Sequence, residues 1–380
     1  MQPFDFQLTT RLVFGPGTVS RLGDEARELG FNRPLLVADH GLQAAGHVDR
    51  AIAELMSAGV DAVPFHDFDI NPDTKMVERG TEYAKPLAID SIIGLGGGSS
   101  LDCAKGINFL LTNGGSMSDY LGYGNTTHPM LPMIAVPTTS GTGSEAQSYA
   151  VISDNDTHVK MACGAPGAAF RVALLDTELT LSQPEAVAAA AGFDAIAHAV
   201  ETAVTTKRTA ISSLFSREAF RLLNGHYERV LSQPNDLEAR GAMQLGAFYA
   251  GAAIENSMLG AAHACANPLT AHYQITHGVA LAVLLPHVVR WNADVDTQLY
   301  RDFVNDAMDD GAGSSSGDQL ATRLVEIGRA GGLPDRLRDT GVDRDALQAL
   351  AEGAAQQWTA TFNPRPFGVP EALEVYQCAY

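Results

Sequence analysis

The chain has 380 residues, 46% of them hydrophobic and 18% charged, an ordinary globular composition and more chain than one hydrophobic core usually serves. Asp and Glu number 44 against 25 Lys and Arg, and the net charge of -19 repels a phosphate backbone, so nucleic acid is excluded as a partner. The longest apolar run, residues 279–286, is too short to span a bilayer, and Cys103, Cys163, Cys265 and Cys378 form neither a C-x-x-C pair nor a disulfide framework.

The opening residues, MQPFDF, carry no basic segment and no apolar signal core, so the expectation is a soluble cytoplasmic protein whose cysteines are small buried hydrophobes. Only Cys265, two residues from a candidate ligand, stands apart. From residue 30 to about 180, short apolar runs alternate with helical stretches, the pattern of βαβ units on a mostly parallel sheet. Residues 35–39 (LLVAD) form the first clear strand. A helix over 51–58 follows, then a strand at 63–65, a turn at Asn71-Pro72-Asp73 and a helix over 76–84. Residues 91–95 and 131–136 are further strands, and 172–176 closes this half.

At Ser182 the pattern changes. Ser182 and Glu185 read as a capping box, with Pro184 inside the first turn of a helix. Helical spacing then recurs over 186–191, 194–204, 212–223, 237–252, 278–291 and 320–328, with almost no strand signal. Residues 310–317, DGAGSSSG, read as a flexible connection within the helical half. The expected architecture is an α/β, Rossmann-like dinucleotide-binding domain over 1–180 and an all-α metal-binding and catalytic domain over 181–380.

Residues 91–99, SIIGLGGGS, run from a strand through Gly96, Gly97, Gly98 and Ser99 into a helix beginning near Leu101. Glycines let backbone N–H groups approach a pyrophosphate, and the helix N-terminus adds a favourable dipole. The spacing is not G-x-G-x-x-G, and a tight turn alone is the competing reading. A second loop, PTTSGTGSE at 137–145, also follows a strand. Two such loops at neighbouring strand ends make the walls of a nucleotide cleft. Asp39, at the end of the first strand, is placed either to accept both ribose hydroxyls of NAD and repel the 2′-phosphate of NADP, or only to cap the next turn.

Asp194 and His198 lie four apart in GFDAIAHAVE, residues 192–201, and share one face of a helix among Ala and Ile. A buried carboxylate and imidazole without local counter-charge are stabilised by a cation, although an Asp–His hydrogen bond accounts equally well for this segment alone. Residues 260–287 hold four of the eleven histidines. Pro268 and the junction at 275–278 mark two helices whose facing ends bring His263 and His277 to the first pair. Three nitrogens and one carboxylate oxygen suit Fe(II) or Zn(II), with a coordination position left for substrate. His272 and His287 are read as packing or supporting residues.

On GGGSSLDCAK (96–105), PTTSGTGSE (137–145), Gly192-Phe193-Asp194-Ala195 with His198, and the His263 and His277 segment, the chain resembles the iron-containing, group III alcohol dehydrogenases along nearly its whole length. It is most similar to their lactaldehyde reductase and 1,3-propanediol dehydrogenase branch. The resemblance implies hydride transfer between a small alcohol or aldehyde and NAD at a Lewis-acid metal, in a homodimer or dimer-based oligomer. It implies metal ligands at Asp194, His198, His263 and His277. It also implies cofactor contacts at Asp39, Asn71, Gly97, Gly98, Ser99, Asp102, Thr138, Thr139, Thr142, Lys160 and Leu179. One departure is Asn267, where many relatives carry a histidine four residues after His263; Asn cannot titrate, so a proton relay or substrate contact there is not expected to carry over. Three rivals are an NAD- and metal-using lyase of the dehydroquinate synthase type, a catalytically silent member, and a metal-free enzyme of the maleylacetate reductase type; the last conflicts with the intact ligand set.

Overall fold

A computed structural model describes residues 3–294, 296, 299–308 and 317–380. The chain divides into two compact units, one of residues Gln7–Gln183 and one of Pro184–Tyr380 with the N-terminal segment ending at Phe6.

The first unit is α/β. In chain order it holds β1 (Arg11–Phe14), α1 (Leu22–Glu28), β2 (Pro34–Val37), α2 (His40–Ala44), α3 (His47–Ser57), β3 (Val63–Phe65), α4 (Thr74–Ala84), β4 (Ser91–Gly96), α5 (Gly98–Asn113), β5 (Gly122–Tyr123), β6 (Met133–Pro137), β7 (Tyr149–Ser153), β8 (Lys160–Gly164) and β9 (Val172–Leu175). Six strands form one sheet in the order β1-β9-β6-β4-β2-β3. Every neighbouring pair in it is parallel. β2, β4, β6 and β9 are buried at every position, which is why they read as unbroken apolar runs and not as alternating ones.

From β2 the chain moves outward to β3, whereas from β4 it moves the other way to β6 and β9. The order therefore reverses between β2 and β4, and the carboxyl ends of these two strands flank the point where open parallel sheets bind ligands. Asp39 follows the first of them and Gly97 the second.

Several local expectations are corrected. β1 was not anticipated; it is a four-residue strand that pairs with β9, which lies 158 or more positions away. Neither was the second sheet, β5-β8-β7, whose antiparallel hairpin aligns Tyr149 with Gly164 and Ser153 with Lys160. α5 starts at Gly98, three residues before the expected Leu101, so Gly98 and Ser99 lie in its first turn. Ser182 is not a cap: it ends a 3₁₀ helix, Thr177–Ser182, and its hydroxyl donates to Leu179 O at 3.2 Å. Pro184 takes the N-cap position instead and offers no side-chain bond.

The second unit is helical, with no strand among its described residues: α6 (Glu185–Thr202), α7 (Ala210–Ser232), α8 (Leu237–Ser257), α9 (Ala261–Tyr273), α10 (His277–Ala293), α11 (Arg301–Met308), α12 (Gly317–Ala330), α13 (Leu347–Ala355) and α14 (Val369–Ala379). The stretches 186–191 and 194–204 fall largely within the single helix α6, and Pro268 lies inside α9 without ending it. Residues 310–316 of the expected connection lie outside the described residues.

Phe193, Ile196 and Val200 of α6 pack in one core with Leu281, Leu284 and Leu285 of α10, all fully buried. Close approach of these two helices depends on Gly278: a Cβ there would stand 1.9 Å from the carbonyl oxygen of Ala190. The absence of a side chain thus seats the first turn of α10 against the backbone of α6. Among the described residues no helix is long and apolar enough to cross a membrane. Cys103, Cys163 and Cys265 are buried as expected, but Cys378 is exposed because α14 turns it away from the core; all four are free thiols.

Candidate functional site

α6 carries Asp194 and His198 on one face, four residues apart. His263 lies in the first turn of α9 and His277 is the first residue of α10. Around Asp194 Oδ1 the structure places three imidazole nitrogens: His198 Nε2 at 3.3 Å, His263 Nε2 at 3.7 Å and His277 Nε2 at 3.9 Å. Asp194, His263 and His277 each offer an atom to a group lying within 4.8 Å of one another, and His198 joins it through Asp194. The His198 and His263 rings stack with centroids 4.8 Å apart.

Side-chain exposure is 7% for Asp194, 6% for His198 and 5% for His263 but 22% for His277, so the cluster is open on the His277 side. Asp194 Oδ1 and His263 Nε2 are buried and have no hydrogen-bond partner. A buried acceptor left in this way is costly unless something else satisfies it. Two ligands held about 2.1 Å from one ion at tetrahedral angles stand about 3.4 Å apart, close to the three spacings around Asp194. A borderline divalent cation therefore fits the donor set and meets the unsatisfied atoms.

The electrostatics agree. Burial would raise the Asp194 carboxyl, yet His198, His263 and His277 outweigh it and hold the group well below the usual carboxylate range. Burial would likewise lower His263, but the Glu201 and Asp194 carboxylates push it up to about 9. The pocket is tuned to hold positive charge. Glu201, which no motif singled out, accepts a hydrogen bond from Nδ1 of His263. Its i+7 spacing from Asp194 was a sequence signal for a third polar group on the same helix face.

His272 is exposed. His287 is half-buried, and its burial lowers its pKa to about 4. Neither joins the cluster. Asn267 donates to Gln357 Oε1 at 2.9 Å.

The nucleotide candidates all lie in the α/β unit. Asp39 is the N-cap of α2: its Oδ1 accepts from Leu42 N at 3.1 Å, and Oδ2 stands 3.5 Å from the Ser100 hydroxyl that donates to it. Asn71, with a left-handed φ of 53°, donates its N–H to Ser99 Oγ at 3.0 Å. Gly97 is the N-cap of α5, a 16-residue helix that directly follows β4, and gives its first N–H groups no side-chain acceptor. An anion such as a pyrophosphate fits there.

The second loop packs directly on the first. A Cβ on Gly97 would stand 3.2 Å from Thr139, and one on Gly98 would stand 2.5 Å from Thr142 Cγ2. Thr138 is buried and donates its N–H to Gly96 O at 3.0 Å. Asp102 accepts from Ser144 Oγ at 2.7 Å, and burial raises its carboxyl above the ordinary range. Lys160 opens β8 opposite Ser153, and Leu179 is 1% exposed in the core under the sheet.

Lys105, at the end of the GGGSSLDCAK motif, carries no spacing signal of its own yet is central to this packing. It is fully buried, and its Nζ donates to Ser144 O and Oγ, Gln147 O and Tyr149 O at 2.7–2.9 Å. It thereby ties α5 to the threonine loop.

Two family models match: "Iron-containing alcohol dehydrogenase" over residues 9–177 and "Fe-containing alcohol dehydrogenase family, C-terminal" over 188–380. The chain is 34% identical to 1,3-propanediol dehydrogenase of Citrobacter freundii, with 99% of each chain covered. It is 29% identical to the NAD-dependent methanol dehydrogenase of Bacillus methanolicus, again over 99% of each. Its structure superposes on that of an alcohol dehydrogenase from Oenococcus oeni with a TM-score of 0.95, at 30% identity and full coverage of both chains.

Proposed function

Because the chain belongs to the iron-containing alcohol dehydrogenase family, we propose that it interconverts a small alcohol and its aldehyde with NAD at one divalent metal ion held by Asp194, His198, His263 and His277. The observation that carries this reading is the pair of buried atoms that make no hydrogen bond, Asp194 Oδ1 and His263 Nε2, within a cluster of three imidazoles. That the chain is an alcohol and aldehyde oxidoreductase follows from its family; the ligand set, the cofactor and the ion are our reading. Fe(II) is the ion named by the family, and the donors suit Zn(II) as well.

When bound, such an ion acts as a Lewis acid toward the substrate oxygen. The protein's own share is charge and position. Asp194 supplies the negative charge about which the three imidazole nitrogens gather. The His277 side, more exposed than the rest, is where we place entry of the alcohol. Asn267, an amide engaged with Gln357, neither takes up nor releases a proton there.

For the cofactor, the N-terminal turn of α5 with Gly97, Gly98 and Ser99 would hold the pyrophosphate, with Thr138, Thr139 and Thr142 of the loop packed against it extending the same cradle and Asn71, Asp102, Lys160 and Leu179 completing the contacts. Asp39 would take the ribose hydroxyls through the carboxylate oxygen that does not cap α2, and it would repel a 2′-phosphate. The relative named as NAD-dependent supports that choice. Four free thiols suit a reducing compartment, so we place the protein in the cytoplasm, and we propose a homodimer or dimer-based assembly.

Anaerobic reconstitution with Fe(II) or Zn(II), followed by a panel of small aldehydes and NADH, tests the reading. Net NADH oxidation that depends on the added ion is expected. A lyase of the dehydroquinate synthase type returns its hydride within each turnover and gives no net oxidation, which would refute the dehydrogenase assignment.

A further inference from the structure

Glu201 is 4% exposed and lies seven residues after Asp194 on α6, on the face that carries both Asp194 and His198. Its carboxylate reaches the start of α9. Oε1 accepts from Ala262 N at 2.7 Å, and Oε2 accepts from His263 N at 3.4 Å and also from His263 Nδ1. Among the described residues no Lys or Arg forms an ion pair with it; its charge is met by helix N–H groups and by the imidazole.

α9 has no cap of its own. Its N-cap residue is Gly260, which lacks a side chain, and the first N–H, that of Ala261, is accepted by Asn363 Oδ1 at 3.3 Å. A Cβ on residue 260 would stand 3.0 Å from Glu201 Oε1 and 3.1 Å from Asn363 Oδ1. The glycine thus leaves room for two acceptors from elsewhere in the chain to cap the helix. One of them, Glu201, also grips the ring of the third residue in that helix.

We propose, on the reading that Asp194, His198, His263 and His277 hold an ion, that Glu201 is the positioning residue of this centre. By capping α9 and accepting Nδ1–H of His263 it orients the ring and aims Nε2 at Asp194, so that Nε2 is the nitrogen offered to an ion. One helix then delivers two ligands directly and sets the third through Glu201. A carboxylate behind a ligating imidazole orients the ring and raises its basicity, and losing such a partner lowers metal affinity about 10- to 100-fold.

The test compares wild type with Glu201→Gln, a change that keeps the volume but offers an amide donor where two backbone N–H groups and Nδ1–H need acceptors. Affinity for Zn(II) is measured by chelator competition, and the geometry is read from the visible bands of the Co(II)-loaded protein. The expected result is a 10- to 100-fold loss of Zn(II) affinity with shifted Co(II) bands, in a variant that remains folded. A cap of merely structural importance would lower the unfolding midpoint and leave both readouts of the folded protein unchanged, and that result overturns the proposal. If wild type itself takes up no ion, the underlying metal reading fails, and the inference with it. Should the variant not fold, ¹⁵N-histidine spectra of Zn(II)-loaded wild type decide: the proton is expected on Nδ1 of His263 and the ion on Nε2, and coordination through Nδ1 overturns the assignment.

Discussion

Replacing Lys105 by Met should loosen the threonine loop and weaken NADH binding. Met nearly conserves the volume but removes a buried ammonium that donates to Ser144 O, Ser144 Oγ, Gln147 O and Tyr149 O within 2.9 Å and lies 5.1 Å from the Phe170 ring centre. Each buried carbonyl deprived of a donor costs about 1–3 kcal/mol, so three of them give a gross loss of about 3–9 kcal/mol. Part of that returns, because the variant no longer takes a cation out of water, a saving of several kcal/mol. Taking about 6 kcal/mol as the mid-range gross loss and about 3 kcal/mol as the part returned, we expect a net loss of about 3 kcal/mol. The Asp102–Ser144 bond on the same stretch loses its neighbour too, so the loop is less ordered before it binds. A penalty of only about 1.4 kcal/mol in reordering it raises the NADH Kd tenfold. Urea unfolding followed by circular dichroism and NADH titration by fluorescence are the assays. Both tryptophans, Trp291 and Trp358, belong to the helical unit, so tryptophan emission alone would miss the change. Wild-type midpoint and wild-type NADH affinity in Lys105→Met would refute the reasoning.

Gly278→Ala should displace the start of α10, because its Cβ would meet the Ala190 carbonyl oxygen at 1.9 Å and neither backbone can yield cheaply. Isothermal titration should find Zn(II) affinity lowered at least about tenfold through the neighbouring His277, with a stability loss of about 1–3 kcal/mol; unchanged affinity would remove the packing argument. Asp39→Gly should raise kcat/KM with NADPH relative to NADH, and an unaltered ratio would mean that Asp39 only caps α2. Glu145 is 3% exposed and its burial raises its pKa to about 7, against about 4.3 for a free side chain. A raised folded-state value contributes stability that is fully present below about pH 4 and is lost as pH rises through about 7, so Glu145→Gln should gain up to about 3 kcal/mol over wild type at pH 8 and nothing near pH 4. Denaturant midpoints across that range test it, and a pH-independent difference contradicts it.

The legible parts of the fold were those whose causes are local. β4 and β6 are buried on both faces and announce themselves as apolar runs, and Asp194 with His198 needs only helical spacing to share a face. What escaped reading depends on partners far along the chain. β1 is held by β9, and the β7–β8 hairpin surrounds a polar turn that resembles an ordinary loop. Glu201 looks like a solvated residue near a helix end until α9, sixty-one positions later, brings Ala262 to it. Ser182 satisfies the pattern of a cap in sequence, yet it ends a 3₁₀ helix and gives its hydroxyl to Leu179 O within that helix. In sequence the glycines at 97 and 98 signal room for a phosphate. They are also room for Thr139 and Thr142, so the cradle is built from two loops at once.

Ion stoichiometry is the most direct test of the centre. Wild type, Asp194→Ala and His263→Ala are each reconstituted anaerobically with Fe(II) or Zn(II), passed over a desalting column and assayed for bound metal and NADH-dependent aldehyde reduction. The account predicts one equivalent per chain in wild type, with bound metal and turnover lost together in both variants. Full metal retention in either variant, or undiminished turnover without metal, would contradict it.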